Sequence, residues 1–544
     1  MSSVIAAPQE SRAPTSGSIV CVSIGRSRHK NMLAEHQNMV AAGAKLCELR
    51  ADYVPRNLNV RRLIKERPGP VIFTCRREKD GGRYKDSEKE RLLSLRTAIA
   101  EGVEYVDLEE DTAREIPRYG KTKRIVSYHN FRETPDDLEE IYKRLAACDA
   151  DIVKIATMAQ STSDNVRMMR MLKKATIPTV AFCMGEIGTP TRLLCAKFGA
   201  PFTYATFNPE RTMAPGQLSF HDTLHKYHYE RINSQTSVYG VIADPVAHSY
   251  SPLIHNTLFH KLGINAVYLP FRVPHADLES FFSDCTELGI RGLSVTIPHK
   301  EEVLKLAVSA SDVVREIGAA NTLTFNKVET KAYNTDYRAA MDCIEKAFPH
   351  EDKYTSMLGR RILILGAGGV ARAIGYGIKR RSGDVVVCAR SLPRAEELAA
   401  KLGGRAVAWE LRHSVRCDMI INCTPVGMHP NVDDTPFDGR YFKEGQYVFD
   451  TIYNPEQTLF VKQARQGRCN VITGVDMFIG QAALQFRYFT GHAPPIDLMR
   501  YTLKRAMSAA KFEDDFESVE QNTPAISNTP MPQEPEESKS QPDA

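Results

Sequence analysis

Eight short apolar runs, spaced roughly 20 to 35 residues apart in the first 206 residues, are the feature that most constrains the fold of this chain. Stretches compatible with helices separate the runs. Strands that alternate with helices form a parallel sheet, and eight such units in about 210 residues are typical of a (β/α)8 barrel. We therefore predict a closed α/β barrel built on SIVCVSI, KLCELRAD, PVIFTCR, EYVDLEE, RIVSYH, DIVKIA, TVAFCM and PFTYAT.

Polar side chains occur where several of these runs end. The carboxyl ends of barrel strands form the active site in this fold. One arginine or histidine at such an end is more often structural, but several from different strands that converge on one mouth indicate a site. The candidates are Ser23, Glu48, Arg50, Arg76, His129, Lys154 and, in the loop after the seventh run, Arg192.

Lys154 lies inside the apolar run DIVKIA, where its amine must lose most of its water. Burial disfavours the ammonium form of a lysine. A free amine can attack a ketone, and the imine that results acidifies the hydrogen on the neighbouring carbon, which a histidine can remove. We therefore interpret Lys154 and His129 as a plausible pair for a lyase that works through an imine.

The motifs CELRADY, TCRREKDGG, SYHN, DIVKIA, CMGE and APGQ, in this order, resemble those of type I 3-dehydroquinate dehydratase over residues 18 to 228. The resemblance implies that Lys154 forms a Schiff base with the substrate ketone, and that His129 moves the alpha proton to the departing hydroxyl. It also implies a substrate site made of Ser23, Glu48, Arg50, Arg76, Arg192 and Gln217.

Three positions depart from the usual pattern of that family. Asp80 replaces a common Glu and Thr191 replaces a common Ser, and both changes keep the chemistry. Met213 stands where a Ser that contacts the substrate is common, which removes a hydrogen bond. We expect the lid-like loop before APGQ to hold the substrate differently.

The second half opens at VYGVIADPVAHSYSPLIHN, after a polar connector near Ser234 that we take as the domain boundary. Ser249 and Ser251 place two hydroxyls on a turn at the start of a helix, where polyols and carboxylates bind readily. Taken alone, this pattern is more often a helix cap.

Lys300, Asn321 and Asp336 follow on the separate segments GLSVTIPHK, GAANTL and YNTDY. A lysine beside an aspartate across a cleft can pass a proton to a developing alkoxide. A surface ion pair is the alternative interpretation.

The segment RRILILGAGGVARAI is a strand that runs into Gly366, Gly368 and Ala371, which fits GxGxxA in a strand-turn-helix context. Such glycines let the backbone approach a pyrophosphate at a helix amino terminus. The next strand, DVVVCARS, ends in Arg390 rather than an acidic residue, and Arg394 follows. A cation at this point favours NADP over NAD, and a solvated basic loop is the alternative.

The motifs HSYSP, TIPHK, AANT, NTD, GAGGVA, CTPVGM, DTIYNP and GVDMFIGQAALQF occur in an order that resembles shikimate dehydrogenase, over residues 236 to about 510. The resemblance implies a catalytic dyad of Lys300 and Asp336. It implies a substrate pocket that also contains Ser249, Ser251, Thr296, Asn321, Tyr453, Gln481 and Gln485. The implied NADP(H) contacts are Gly366, Ala367, Gly368, Gly369, Val370, Ala389, Arg390, Ser391, Arg394, Thr451 and Gly474.

Two details bear on specificity in this half. ARS replaces the usual NRT, so Ala389 loses an amide contact while Arg390 remains, and we expect NADP preference with weaker discrimination. Ser251 and Thr296 keep the pattern of enzymes that use shikimate rather than quinate.

The resulting domain plan has a two-lobed dehydrogenase after the barrel. The predicted ranges are a disordered tail at 1–17, the barrel at 18–230, a substrate lobe at 236–340, a Rossmann lobe at 355–476, helices returning to the substrate lobe at 477–511, and a disordered tail at 512–544. The last range is rich in acidic residues and proline and poor in apolar residues, which is typical of disorder.

Composition excludes several other classes of protein. No run of about 18 apolar residues is present to span a bilayer, and no arginine-rich stretch with interleaved aromatic residues indicates nucleic acid binding. Neither a signal peptide nor a typical transit peptide is recognisable at the start. The 12 cysteines form no CxxC pair and the histidines are dispersed, so we expect no metal site, no disulfide framework and a cytoplasmic location.

The two implied activities are consecutive: dehydration of 3-dehydroquinate gives 3-dehydroshikimate, which NADPH reduces to shikimate. We therefore predict a bifunctional enzyme of the shikimate pathway, which serves aromatic amino acid biosynthesis. One alternative is a quinate/shikimate dehydrogenase with relaxed cofactor choice. Another is a ligand-sensing regulator without catalysis, which would be expected to lack the chemical residues that are present here. The sequence leaves channelling and oligomeric state open.

Overall fold

A computed structural model describes residues 18–55, 57–246, 249–326, 329–347 and 356–508. The chain divides into two compact units. The first contains the described residues up to 240 with those in 244–247 and 263–290, and the second contains those in 241–243, 248–262 and from 291 onward. The predicted disordered tails at 1–17 and 512–544 lie outside the described residues.

Eight parallel strands form the first sheet, and each coincides with one of the eight apolar runs. Neighbouring strands pair in the order β7-β6-β5-β4-β3-β2-β1-β8. The ends of this order, β7 and β8, are not paired with each other among the described residues, so the barrel is nearly closed. The strands are β1 Ile19–Ile24, β2 Leu46–Arg50, β3 Val71–Thr74, β4 Tyr105–Glu109, β5 Lys123–Asn130, β6 Ile152–Met158, β7 Thr179–Met184 and β8 Phe202–Thr206.

Helices connect the barrel strands, as a parallel sheet requires. They are α1 His29–Ala41, α2 Val60–Lys65, α3 Glu88–Ala100, α4 Glu110–Glu115, α5 Leu138–Ala146, α6 Thr162–Lys174, α7 Gly185–Gly188 and α8 Thr191–Leu194. The strands are buried along almost their whole length because helices cover one face and the barrel core fills the other, which explains their continuous apolar sequence. The predicted (β/α)8 architecture is confirmed.

The second sheet has six strands in the order β10-β9-β11-β13-β14-β12. Its antiparallel pairs include β11 with β13 and β13 with β14. The strands are β9 Ser237–Ala243, β10 Ala266–Arg272, β11 Ile290–Val295, β12 Ser309–Ala310, β13 Thr322–Phe325 and β14 Thr330–Tyr333. The helices of this part are α9 Ser251–Lys261, α10 Leu278–Leu288, α11 Glu302–Leu306, α12 Asp312–Ile317 and α13 Thr335–Ala347.

The third sheet is parallel, with the order β17-β16-β15-β18-β19-β20. Its first strand lies near the centre, and the connection after that strand is the predicted glycine-rich turn. The sheet therefore confirms the Rossmann-like part of the predicted fold. The elements are β15 Arg361–Leu365, α14 Gly369–Lys379, β16 Asp384–Ala389, α15 Leu392–Leu402, β17 Arg405–Ala408, β18 Met419–Asn422, β19 Tyr447–Asp450, α16 Leu459–Gln466, β20 Asn470–Ile472, α17 Gly474–Thr490 and α18 Ile496–Met507.

Among the described residues, no helix combines the length and the apolar composition that a membrane span requires.

Candidate active sites

A pocket opens in the first unit, and it is lined by all eight side chains that the sequence singles out there. Ser23, Glu48, Arg50, Arg76, His129, Lys154, Arg192 and Gln217 come from different strands and loops of the barrel, and its curvature brings them together. Their convergence favours a binding site over separate structural salt bridges.

Lys154 lies in the middle of β6 and is only 5% exposed. Its Nζ donates to Asp107 Oδ2 at 3.0 Å and lies 3.6 Å from Glu48 Oε1. The amine also lies 4.0 Å from the centre of the Tyr204 ring. The burial expected from the sequence is present, and the structure adds two carboxylates as close partners of the amine.

Asp107 is a site residue that our sequence analysis missed. Its carboxylate is fully buried between Lys154 and Arg76, whose Nη2 lies 2.7 Å from Oδ1. Although burial alone would raise the pKa of Asp107, the charges of Arg76 and Lys154 hold it well below its usual range. The available signal was the charge inside the run EYVDLEE, which is the same kind of signal that Lys154 gave in DIVKIA.

Glu48 is held as a carboxylate by the same group of charges. It accepts hydrogen bonds from Ser23 Oγ at 2.7 Å and from Thr74 Oγ1 at 2.9 Å. Burial opposes ionisation, but Lys154 and Arg50 lower the pKa of Glu48 below its ordinary value. Ser23 therefore acts on the pocket through the orientation of Glu48.

His129 is positioned by β5, next to the strand that carries Lys154. Burial, together with the nearby charges of Arg76 and Lys154, lowers the pKa of His129 well below its ordinary value. The imidazole is therefore neutral near pH 7 and has a lone pair available to accept a proton. This is the state that a general base requires.

The three arginines of the pocket differ in their partners. Arg50 donates to both carboxylate oxygens of Asp52, at 2.9 and 2.8 Å. Arg76 pairs with Asp107 and Glu109, the second at 3.0 Å. Within the described part of the chain, Arg192 has no carboxylate partner, although it is only 2% exposed.

The buried guanidinium of Arg192 therefore lacks a countercharge among the described residues. Its Nη2 donates to the carbonyl of Pro215 at 3.1 Å, and its guanidinium lies over the Phe182 ring. Its buried Nε has no hydrogen-bond partner in the part of the chain that the structure describes. Burial lowers its pKa to about 10. An anion that entered the pocket would supply the missing countercharge.

The loop after β8 lines part of this pocket through Met213, Ala214 and Gln217. Gln217 accepts from the backbone N–H of Met213 at 3.0 Å, so its side chain fixes the loop. The Met213 side chain packs so close to Gly25 that a Cβ at Gly25 would lie 2.9 Å from the methionine Cε. Met213 thus contributes an apolar contact where a hydroxyl was expected.

A second buried lysine, Lys300, marks the candidate site of the second unit. Its Nζ donates to Asp336 Oδ2 at 2.5 Å. Lys300 is 9% exposed and Asp336 is 6% exposed. Lys300 follows β11 and Asp336 lies in the first turn of α13. The structure therefore favours a buried polar pair over the surface ion pair that the sequence left open.

Asn321 and Gln485 belong to a hydrogen-bonded network that reaches the residue before Asp336. Asn321 Oδ1 accepts from the backbone N–H of Thr335, which precedes Asp336, at 2.8 Å. Gln485 Oε1 accepts from Ser294 Oγ at 2.8 Å, and its Nε2 donates to the Asn321 carbonyl at 3.2 Å. The two amides are thus held in defined orientations, and Gln485 links α17 to the second sheet.

The other predicted pocket residues lie on nearby loops and helices. Ser249 Oγ accepts from the backbone N–H of Ser251 at 3.3 Å, which places both hydroxyls at the start of α9. Thr296 directly follows β11 and is partly buried. The Tyr453 ring stacks on Phe478 at 3.9 Å, and Gln481 donates to the Phe478 carbonyl at 3.1 Å.

The glycine-rich turn has the conformation that its motif predicts. Gly366 has φ +113°, which favours glycine, and Gly368 has open space where a Cβ would lie. A Cβ at Gly369 would lie 3.0 Å from the Lys300 Cβ. Ala367 is buried and Val370 is partly buried, so their packing holds the turn in place. The backbone at Gly368 remains accessible.

The end of β16 carries the predicted cations. Ala389 is the last, buried residue of the strand, and Arg390 and Ser391 are exposed. The residues described by the structure give Arg390 no carboxylate partner, whereas Arg394 Nη2 donates to Glu301 Oε1 at 2.9 Å.

Thr451 and Gly474 lie at the far end of the same sheet. Thr451 donates to the carbonyl of Asn422 through its hydroxyl at 2.8 Å. A Cβ at Gly474 would lie 2.4 Å from the Ile452 carbonyl oxygen, so no larger residue fits there. The described residues contain no group of three or more His, Cys, Asp or Glu side chains arranged to hold a metal ion.

Four family profiles match separate parts of this chain. Residues 20–234 match type I 3-dehydroquinase, and residues 241–323 match the shikimate dehydrogenase substrate binding domain. Residues 474–504 match the shikimate 5'-dehydrogenase C-terminal domain, and residues 361–448 match a profile described as NADP oxidoreductase coenzyme F420-dependent.

Individual relatives give the same division. A chloroplastic bifunctional 3-dehydroquinate dehydratase/shikimate dehydrogenase of Arabidopsis thaliana is 35% identical over 505 residues, which cover 88% of this chain and 83% of the relative. A shikimate dehydrogenase (NADP(+)) of Methanothermobacter thermautotrophicus is 37% identical over 287 residues, 51% of this chain and 99% of the relative. A Thermus thermophilus shikimate 5-dehydrogenase solved with NADP(H) and shikimate matches with a TM-score of 0.45 at 29% identity. The match covers 50% of this chain and 100% of the chain in that structure.

Proposed function

The chain belongs to the family of bifunctional 3-dehydroquinate dehydratase/shikimate dehydrogenase proteins, and from this premise we propose how its two sites divide the chemistry. The barrel pocket dehydrates 3-dehydroquinate to 3-dehydroshikimate. The Lys300 site reduces 3-dehydroshikimate to shikimate with NADPH. The observation that carries this division is that each unit contains its own buried lysine with its own carboxylate partners.

Dehydration begins with attack of the Lys154 amine on the ketone carbon of the substrate. A C–N bond forms, and the carbonyl oxygen leaves as water. His129 then takes the proton from the adjacent carbon, the electron pair moves into the new double bond, and the hydroxyl on the next carbon leaves as water with a proton from His129. Hydrolysis of the imine releases the product and restores the amine.

The carboxylates around Lys154 have a role in this sequence. An imine nitrogen that carries a positive charge replaces the ammonium between Asp107 and Glu48, so the cationic intermediate finds countercharges already in place. Neutral His129 accepts the proton that the amine loses before attack and returns it to the carbonyl oxygen that leaves as water, so it is neutral again when it removes the proton from the adjacent carbon. Arg192 holds the substrate carboxylate, because it is the pocket arginine without an internal carboxylate among the described residues.

In the reductase, Lys300 and Asp336 act on the substrate oxygen that gains a proton. Asp336 accepts the hydrogen bond that orients the Lys300 amine, and Lys300 donates a proton to the substrate oxygen as negative charge develops there. Ser249, Ser251, Thr296, Asn321, Tyr453, Gln481 and Gln485 hold the hydroxyls and carboxylate of the substrate.

The glycine-rich turn and the residues after β16 fit NADP(H). Gly366 has the conformation of a tight turn, open space at Gly368 admits a pyrophosphate, and exposed Arg390 offers a cation to the 2′-phosphate. Gly369, Val370, Ser391 and Arg394 would complete this end of the cofactor site, and Thr451 and Gly474 would hold the nicotinamide. The cofactor, when bound, supplies the hydride.

A coupled assay tests the proposed function. Addition of 3-dehydroquinate to enzyme and NADPH should lower the absorbance of NADPH, and shikimate should accumulate in equal amount. No loss of absorbance with 3-dehydroquinate, but loss with 3-dehydroshikimate, would refute the assignment of the barrel. The reverse failure would refute the assignment of the second unit.

A quinate/shikimate dehydrogenase with relaxed cofactor choice is the second candidate for that unit. Ala389 replaces a residue that would contact the cofactor through an amide, and Arg394 is partly neutralised by Glu301. Oxidation rates of shikimate and quinate with NADP and with NAD decide between the two. We expect shikimate with NADP to be the best pair, because Ser251 and Thr296 retain their hydroxyls.

A further inference from the structure

Glu301 directly follows the catalytic Lys300, and its carboxylate joins two arginines. Oε1 accepts from Arg394 at 2.9 Å, and Oε2 lies 3.2 Å from Arg372 Nη2. The Glu301 side chain is 34% exposed, whereas that of Arg372 is 5% exposed. The proposed mechanism assigns no step to this carboxylate.

The three elements that meet here are those expected around the phosphates of the cofactor. Arg372 lies in the first turn of α14, directly after the glycine-rich turn, and its backbone N–H donates to the carbonyl of Gly368 at 3.0 Å. Arg394 lies in the first turn of α15, after the exposed Arg390. The position of a Gly369 Cβ is 3.0 Å from the side chain of Lys300.

We propose that Glu301 is a specificity-determining residue, which competes with the cofactor 2′-phosphate for Arg394 and so limits the preference for NADPH over NADH. This inference rests on the proposed NADP(H) site. It goes beyond that site because it gives a role to an acidic residue outside the glycine motif and outside the strand end that carries Arg390.

The charges determine the direction of the effect. A phosphate monoester carries nearly two negative charges at pH 7, so a carboxylate bonded to one of its cations repels it and occupies a donor that it needs. NADH has only ribose hydroxyls at this position, which carry no charge. The Glu301 carboxylate therefore weakens NADPH binding far more than NADH binding.

Arg372 contacts a second acidic residue, which provides a control for a general effect of acidic groups. Its second acidic neighbour, Glu397, lies 3.4 Å from Nη2 and also pairs with Lys401. Glu397 has no ion pair with Arg394 among the described residues. Glu397→Gln is thus a matched control, because it removes a charge from the same cluster but leaves the Arg394 contact intact.

The test uses the full-length protein and two nucleotide probes, adenosine 2′,5′-bisphosphate and adenosine 5′-monophosphate, with binding measured by calorimetry. In Glu301→Gln, the bisphosphate should bind roughly three- to tenfold more tightly than in the wild type, because one repulsive charge is removed at short range. Binding of the monophosphate should change less than about twofold. Glu397→Gln should leave both affinities within about twofold of the wild type.

A double variant isolates the contact with Arg394. In an Arg394→Ala background, Glu301→Gln should improve bisphosphate binding less than it does in the wild type, because the competition for Arg394 is gone and only the direct repulsion remains to be relieved. Unchanged or weaker binding of the bisphosphate to Glu301→Gln, in a protein whose unfolding transition is normal, would overturn the inference. If the wild type itself did not distinguish the bisphosphate from the monophosphate, the proposed NADP site would fail instead.

Discussion

Lys154 and Lys300 are both buried, and both donate to a carboxylate, yet the proposed chemistry assigns them opposite tasks. Lys154 is a nucleophile that must give up its proton. Lys300 is an acid that must retain its proton until the substrate oxygen needs it. The comparison shows that burial alone does not define the function of a lysine.

The surroundings of the two amines explain the difference. Lys154 lies within a strand of a nearly closed barrel, where Glu48 and His129 line the same pocket and Asp107 contacts the amine. Lys300 lies on a loop after β11 and has one carboxylate at 2.5 Å. The first arrangement accommodates a new C–N bond and its positive charge, and the second orients a single proton.

Replacement of either lysine gives the largest expected effect. Lys154→Met should lower dehydratase kcat by about four orders of magnitude or more, because no other group can form the imine, and should leave the reductase intact. Lys300→Met should do the reverse. Each activity is measured separately, with 3-dehydroquinate or 3-dehydroshikimate as substrate. Loss of both activities in one variant that folds normally would contradict independent sites.

Asp107→Asn tests whether the carboxylates matter to the nucleophile. Dehydratase kcat should fall by about 100-fold, because the cationic imine loses a countercharge. The free energy of unfolding should fall by about 3 kcal/mol, since Arg76 and Lys154 lose a buried partner. Urea denaturation measures the second effect. Glu110→Gln, which alters a surface pair with Arg114 nearby, should change neither quantity appreciably.

A smaller effect is expected from the difference between Arg192, which has no carboxylate partner among the described residues, and Arg50, which pairs with Asp52. Arg192→Gln should raise the KM for 3-dehydroquinate about 10- to 100-fold, because a charged hydrogen bond to the substrate carboxylate is lost. Its stability should not fall, since burial opposes the charge of this side chain. Arg50→Gln should destabilise the protein, because it leaves the buried Asp52 unpaired. A larger rise in KM for Arg50→Gln would reverse the assignment.

The smallest expected effect is the change of dehydratase activity with pH. Because the pKa of His129 is lowered well below its ordinary value, the base remains deprotonated as the pH falls through about 6.5. Dehydratase kcat/KM should therefore change less than about twofold between pH 7 and 6, and its acid limb should lie lower. An acid limb centred at or above pH 6.5 would show that His129 is not the base in this state.

Much of the fold follows from patterns that are local in the sequence. The eight apolar runs predict the barrel strands because burial on both faces requires continuous apolar sequence. The glycine-rich motif predicts the Rossmann turn because few residues tolerate the φ of Gly366. The comparisons confirm the predicted family.

The electrostatic partners within the sites could not be predicted in the same way. Asp107 and Lys154 lie on β4 and β6, and a distance of 3.0 Å between them depends on the curvature of the barrel. Arg50 pairs with a carboxylate two residues along the chain, whereas the environment of Arg192 depends on Phe182 and Pro215 from other segments of the barrel. Similarly, Glu301 gains its two arginines from helices far along the chain.

Reduction with borohydride tests the central claim about Lys154 most directly. The protein is incubated with 3-dehydroquinate, treated with borohydride, digested and analysed by mass spectrometry, with Lys154→Met as the control. We expect a stable adduct on the peptide that contains Lys154, loss of dehydratase activity in proportion to the adduct, and retained reductase activity. An active wild-type enzyme that acquires no adduct on Lys154 would contradict the account.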